Sequence, residues 1–342
     1  MVKKEDIYRN DEVYPKRLLD LKATIESKKT FCFMVPTSWD FHIISHTWTD
    51  PFRLLVKDCS AVLAGIGWTR ENDPDGKIYM DTISGVDFSE KSYYAPVIEF
   101  LSYLYADGVK YVWLDGVCIN QYDNIEMASE MHYMGGFYSL SIACYVAPHG
   151  IGSPNGFKGL TTTNTLPRWF TRVWTLQEYI LPEKLYFLVE KFDDEVTKFI
   201  QEDENSHVED KAWIDWDSGE DLSINSLIPT GTSIGDFSRR KASGDLYFLG
   251  GMAYFEMMGT LLHVHVHGYK DVSPKLFEEF YEAFGEIAAG IEDIHMETLV
   301  KQIRVRYASS EEDRVLGILG LIGFKGEYSL ETGETFCLVT FS

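Results

Sequence analysis

The sequence predicts an α/β fold: a parallel sheet flanked by helices, followed by a mostly helical C-terminal extension. Residues 41–190 alternate short apolar runs with longer stretches of helical spacing, which is the order of a strand–helix repeat. Turn formers punctuate that alternation, among them Gly108, Pro182 and N-D-P-D-G at 72–76. A chain of 342 residues that is 45% hydrophobic and 14% aromatic can also bury the core such a sheet needs.

Residues 1–30 are charged and weakly patterned, either a helical arm or a partly ordered segment, within a lead-in drawn over 1–40. Phe41 to Trp48, F-H-I-I-S-H-T-W, reads as a buried strand whose C-terminal end presents Ser45, His46 and Trp48. Leu55, Val62 and Ile66 give residues 52–66 helical spacing. The turn at 70–77 superficially resembles a calcium loop. The twelfth position counted from Glu71 is Thr82 rather than Glu, so a plain turn is the better reading. Ser92 is placed to cap a helix carrying Val97, Ile98, Leu101 and Leu104, closed by Gly108. Val109 to Leu114 is a second buried strand, ending at Asp115.

After the loop G-V-C-I-N-Q-Y-D, Asp123 and Glu126 form a start close to a capping box. The helix that follows carries Ile125, Ala128, Met131, Gly135 and Tyr138 on one stripe. Ile142 to Ala147 is a third strand, and Gly150 to Asn164 a Gly/Thr/Asn-rich loop. Arg168 to Leu181 reads as one short helix stopped by Pro182, with Trp174 and Glu178 on a shared face. Leu185–Val189 is a fourth strand, so the α/β domain spans 41–200. Residues 201–222 are an acidic linker or loop, and 223–342 form the helical extension. The last residues stop without an obvious terminus, as in a fragment of something longer.

The net charge of -22 argues against phosphate-backbone binding and against an anionic membrane surface. The five cysteines are scattered without a CxxC pair, as in a reducing, cytoplasmic setting. The N-terminus has no apolar signal region, and no apolar run is long enough to span a membrane.

In parallel α/β sheets ligands sit beyond the carboxyl ends of the strands. Ser45, His46, Trp48 and Asp115 fall at such ends, and Glu178, one loop and one helix after the third strand, can reach the same rim. Plainer roles compete: Trp174 as a core residue, Glu178 as an ion-pair partner of Arg168 or Arg172, Asp115 and Glu126 as caps, Gln121 as a loop tie. Cys118 reads as a small buried hydrophobe, with no basic partner close in sequence. His263, His265 and His267 would share one face of a strand, but no matching Cys or carboxylate spacing accompanies them, so no metal is predicted.

The motifs themselves resemble a known family. Y-V-W-L-D-G-V-C-I-N-Q (111–121) is similar to the central block of the fungal heterokaryon-incompatibility (HET) domain. I-I-S-H-T-W (43–48), E-M-A-S-E-M-H-Y-M-G-G-F-Y (126–138), R-W-F-T-R-V-W-T-L-Q-E (168–178) and D-R-V-L-G-I-L-G-L (313–321) resemble its other blocks in the same order. His46 stands where that family often has Tyr, and Glu130 where it usually has Gln. The family is in turn thought to be distantly related to TIR domains, which implies a TIR-like (flavodoxin-like) sheet. TIR enzymes cleave the nicotinamide–ribose bond of NAD with a glutamate on the helix after the third strand; the matching residue here is Glu178. The resemblance thus implies NAD as a substrate rather than a resident cofactor, with Arg172 or Arg168 toward the pyrophosphate, Trp174 or Trp48 against nicotinamide, and Ser45 and His46 toward the ribose. It also implies self-association, a non-self recognition partner and a cell-death role. The alternative is a non-catalytic module acting by homotypic assembly.

Overall fold

In the computed structural model the described residues are 13–66, 77–79, 87–154, 156–157, 167–191 and 238–251, with scattered positions from 253 to 317. Their strands are β1 (Leu18–Asp20), β2 (Cys32–Met34), β3 (His42–His46), β4 (Lys77–Tyr79), β5 (Tyr111–Leu114), β6 (Cys144–Ala147), β7 (Leu185–Glu190), β8 (Arg239–Ser243) and β9 (Leu246–Gly250). They join one sheet in the order β4-β2-β1-β5-β3-β6-β7-β9-β8. The centre, β5-β3-β6-β7, is parallel. Taken along the chain, these four lie in the order second, first, third, fourth, so the winding reverses between β3 and β6. Doubly wound sheets open a crevice at the carboxyl ends of the strands beside such a reversal.

The helices are α1 (Leu21–Ser27), α2 (Asp50–Ile66), α3 (Tyr94–Ala106), α4 (Asp115–Cys118), α5 (Asn124–Leu140) and α6 (Thr175–Ile180). Asp20 caps α1 by accepting from the Ala23 N–H at 3.0 Å. Asp123 caps α5, accepting from Ile125 N–H at 3.0 Å and Glu126 N–H at 3.1 Å. Ser92 does not cap α3. A 3₁₀ turn at Phe88–Glu90 feeds that helix instead, with Tyr94 N–H donating to the Lys91 carbonyl at 3.0 Å. Gly108 closes α3 with φ +91, as a left-handed terminator should.

Two boundaries read from the sequence move. The lead-in drawn over 1–40 contains two sheet strands: β1 pairs antiparallel with β5, Leu19 opposite Val112, and with β2 on its other side. Strands of three residues are too short to show a period. Residues 240–250, read with the helical extension, are strands, and β9 lies antiparallel to β7 with Phe248 opposite Leu188. The β8–β9 turn passes through Gly244 at φ +52, a conformation an L-residue resists. The N-D-P-D-G turn, the acidic run at 201–222 and His263, His265 and His267 lie outside the described residues. Among the described residues no helix is long and apolar enough to cross a membrane.

Trp113, Trp169, Phe100 and Phe137 are among the large side chains fully enclosed in the core, each worth ~1.5–3 kcal/mol of burial. The glycine of the D-G-V-C-I-N-Q stretch has a steric cause. A Cβ on Gly116 would lie 2.5 Å from Phe52 Cε1 and 2.6 Å from Val56 Cγ2, because α4 packs directly on α2. Gly116→Ala is expected to destabilise the fold by about 1–3 kcal/mol, as overpacked cores do, read as a lower denaturant midpoint at unchanged slope.

Candidate functional site

Parallel register places the carboxyl ends of the central strands side by side. Ile44 of β3 pairs with Leu114 of β5, and His46 with Ala147 of β6. Ser45 and His46 at the end of β3 therefore meet Asp115, the first residue after β5. The segment following β6 brings Glu178 on α6 back over β3.

At the centre is a triangle of hydrogen bonds. Ser45 Oγ donates to Glu178 Oε2. Trp169 Nε1–H is directed at both, 2.5 Å from Ser45 Oγ and 3.2 Å from Glu178 Oε2. The Tyr138 phenol, from α5, hydrogen-bonds the same carboxylate. Beside it, Trp48 Nε1–H donates to Asp115 at 3.1 Å to Oδ2 and 3.3 Å to Oδ1. His46 Nε2 lies 3.8 Å from Asp115 Oδ1, and its ring meets Phe52 edge to face with centroids 4.1 Å apart. The half-buried Arg172 acts on all three titratable groups: its cation favours the ionised forms of Asp115 and Glu178 and opposes a charge on His46.

Burial dominates the acid–base properties. Glu178 is only 8% exposed, and desolvation lifts its carboxyl to about 7; Ser45, Arg172 and Trp169 oppose that rise, while the neighbouring Asp115 adds to it. Asp115 is pushed up to about 6 by the surrounding protein. Its side chain stays 33% exposed, and water at that open edge limits the effect. His46 is driven down to about 3 by burial and by Arg172, so it is a neutral imidazole.

These shifts carry a sign for stability. The folded state holds the proton of Glu178 more tightly than the unfolded chain, whose ordinary value is 4.5. Its contribution is complete below that value and is lost as pH rises through about 7. Glu130, lifted to about 7 by burial, adds a contribution of the same sign. We expect Glu178→Gln, which cannot ionise, to gain stability relative to wild type between pH 5 and pH 8, measured by urea unfolding at both.

The helix read over Arg168–Leu181 is broken. Arg168–Thr171 is a 3₁₀ turn, Arg172 is extended, and the α-helix begins at Thr175. The break is imposed from far along the chain. Arg172 forms a parallel bridge with Tyr307, Val173 N–H donates to the Tyr307 carbonyl at 3.0 Å, and Tyr307 N–H donates to the Thr171 carbonyl at 2.6 Å. Buried Arg306 donates to the Arg172 carbonyl at 3.1 Å, and Gln177 Nε2 donates to the Gly317 carbonyl at 3.0 Å. Trp174, in helical conformation as the N-cap of α6, still lies one turn before Glu178. Trp174 precedes α6, half-buried against the core, and the indole touching Glu178 is Trp169. The alternating β-branched residues Thr171, Val173 and Thr175 are the sequence signal against a continuous helix here.

A second buried network sits under the loop after α4. Glu126 closes no capping box. Its Oε1 accepts from Asn120 N–H at 2.7 Å and pairs with Arg17, and its Oε2 meets Lys16 Nζ at 2.7 Å. Arg17 Nε donates to the Cys118 carbonyl at 2.8 Å. Glu130 accepts from Lys16 N–H at 3.0 Å and from Trp113 Nε1 at 3.4 Å. Gln121 joins the loop to α2 through its backbone N–H, which donates to Ser60 Oγ at 3.1 Å. Cys118 is buried with its thiol raised to about 12, which leaves no thiolate for nucleophilic chemistry at neutral pH. Among the described residues no cluster of three or more His, Cys, Asp or Glu side chains is placed to hold a metal ion.

Residues 41–168 match the family described as "Heterokaryon incompatibility protein (HET)". The vegetative incompatibility protein HET-E-1 of Podospora anserina is 31% identical over 85 residues, a segment covering 24% of this chain and 6% of that protein. No solved structure matches the chain. The matched residues hold Ser45, His46, Trp48 and Asp115, while Trp169, Arg172, Trp174 and Glu178 follow them directly.

Proposed function

We propose, from the premise that this is a heterokaryon-incompatibility (HET) domain protein, that it is a cell-death effector of fungal non-self recognition which, once assembled, cleaves NAD at the nicotinamide–ribose bond through Glu178. One observation carries this reading: a carboxylate held at the carboxyl ends of a parallel sheet, beside Asp115 and Arg172, with its proton affinity lifted to about 7. The second-first-third-fourth order of the parallel strands supports a TIR-like, flavodoxin-like sheet.

Breaking the N-glycosidic bond passes through an oxocarbenium-like state. An ionised Glu178 would stabilise that charge and orient the attacking water. Arg172 would neutralise the pyrophosphate. Trp48 or Trp174 would stack on nicotinamide, and His46 and Asp115 would line the ribose side. Purified chain, tested dilute and concentrated, is expected to release nicotinamide from NAD, at a rate per chain that rises with assembly. Absence of nicotinamide from concentrated, assembled protein would sink the reading.

A second reading is favoured by the enclosure of Glu178: a non-catalytic module that signals by homotypic assembly. Tyr122 and Ile125, exposed near the start of α5, offer apolar contact surface for it. In that case toxicity would survive Glu178→Gln and follow oligomerisation alone.

A further inference from the structure

We infer that Trp169 and Ser45 form a positioning fork on Glu178: both hold Oε2, so that Oε1 is the oxygen presented to the reacting atoms. The inference rests on the NAD-cleavage reading for what Oε1 acts upon, but the fork itself is geometry. Both donations land on the same carboxylate oxygen. The indole cannot swing away. Trp169 is fully buried, edge to face with Phe170 at 5.1 Å and with Phe187 at 5.4 Å between centroids. Its own carbonyl accepts from Thr175 Oγ1 at 2.5 Å, which ties the 3₁₀ turn to the start of α6. Ser45 spends its one hydroxyl hydrogen on Glu178 and accepts from Trp169. It is thereby a positioning residue rather than a substrate contact, which revises the role the sequence suggested for it.

The other groups facing the carboxylate are Asp115, Arg172, Tyr138 and the Cys144 thiol. Tyr138 also donates to the carboxylate but comes from α5, and Asp115 and Arg172 act through charge alone.

The test uses the full chain in three forms: wild type, Trp169→Phe, which keeps an aromatic ring and removes the N–H, and Ser45→Ala. Carbon-13 NMR of labelled glutamate carboxyls follows Glu178, assigned by its disappearance in Glu178→Gln. Loss of either donor removes a bond that favours the ionised form, so the Glu178 titration moves to higher pH in both variants. Nicotinamide release is expected to fall ~10²-fold in kcat with KM little changed, the signature of lost alignment rather than lost binding. Ser45→Thr, which restores a hydroxyl, returns both readouts toward wild type. An unmoved titration in either folded variant overturns the fork, as does unchanged kcat in both. If the titrations move but even wild type releases no nicotinamide, the fork stands and the NAD-cleavage reading falls. Should Trp169→Phe fail to fold, Ser45→Ala alone decides, because it deletes a single small atom.

Discussion

Glu178→Gln is expected to lower nicotinamide release by ~10²–10³-fold while leaving the fold intact, the loss seen when a preorganised charge-stabilising group is removed from an enclosed site. Glutamine keeps the volume and still accepts the Ser45 and Trp169 donations at one oxygen. What disappears is the negative charge. On the proposed NAD-cleavage reading the ionised carboxylate is the working form, so the rate is expected to climb as pH rises through about 7 and then level, while the variant stays flat at background. The same variant becomes relatively more stable at alkaline pH. On that reading, a carboxylate whose ionisation opposes folding would be a stability–function trade-off located in one side chain. Toxicity in cells should follow the activity. A toxic Glu178→Gln chain would support the assembly reading.

Glu126→Ala is expected to cost about 3–5 kcal/mol, because it leaves the buried Arg17 guanidinium without its carboxylate. Arg17 is enclosed enough for burial to pull its pKa down to about 10, so its charge is already held against a desolvation penalty. The deletion also orphans the Asn120 N–H, with a further ~1–3 kcal/mol at stake. The loss is read in urea melts or as absent soluble protein. A control separates pairing from packing: Arg17→Met combined with Glu126→Leu removes both charges with similar volume and should be far milder than either partner lost alone. If the double variant is as unstable as Glu126→Ala, the network's value lies in its hydrogen bonds to the loop and not in charge pairing.

The four parallel strands and the helices α2 and α3 were legible because each carries a local period or a continuous apolar run long enough to read; α5 was read as a helix with its stripe misplaced, since Ile125 is exposed while Glu126, Glu130 and Phe137 are buried. Asp123 as a cap and the placement of Ser45, His46 and Asp115 at strand ends followed from the same local evidence. What stayed hidden depends on distant pairing. β1 and β2 are three residues long and are strands because β5 and each other complete their hydrogen bonds. Trp174 keeps its one-turn spacing to Glu178, but the indole that reaches the carboxylate is Trp169, on the far side of the break at Arg172, which local spacing could not show. Glu126 fits the spacing of a capping box, yet its carboxylate goes to Arg17 and Lys16, which no window around residue 126 contains.

The Arg172–Tyr307 bridge also bears on biosynthesis. Chains leave the ribosome N-terminus first, so Ser45, Asp115 and Glu178 are all outside the tunnel well before Tyr307 is made. Until then the extended segment at Arg172 lacks the backbone partner that breaks the helix around it. The backbone contacts that hold Arg172 extended between Trp169 and Glu178 form only when translation has passed residue 307. On the activity proposed for Glu178, a chain ending before residue 307 is expected to release no nicotinamide, measured beside the full chain.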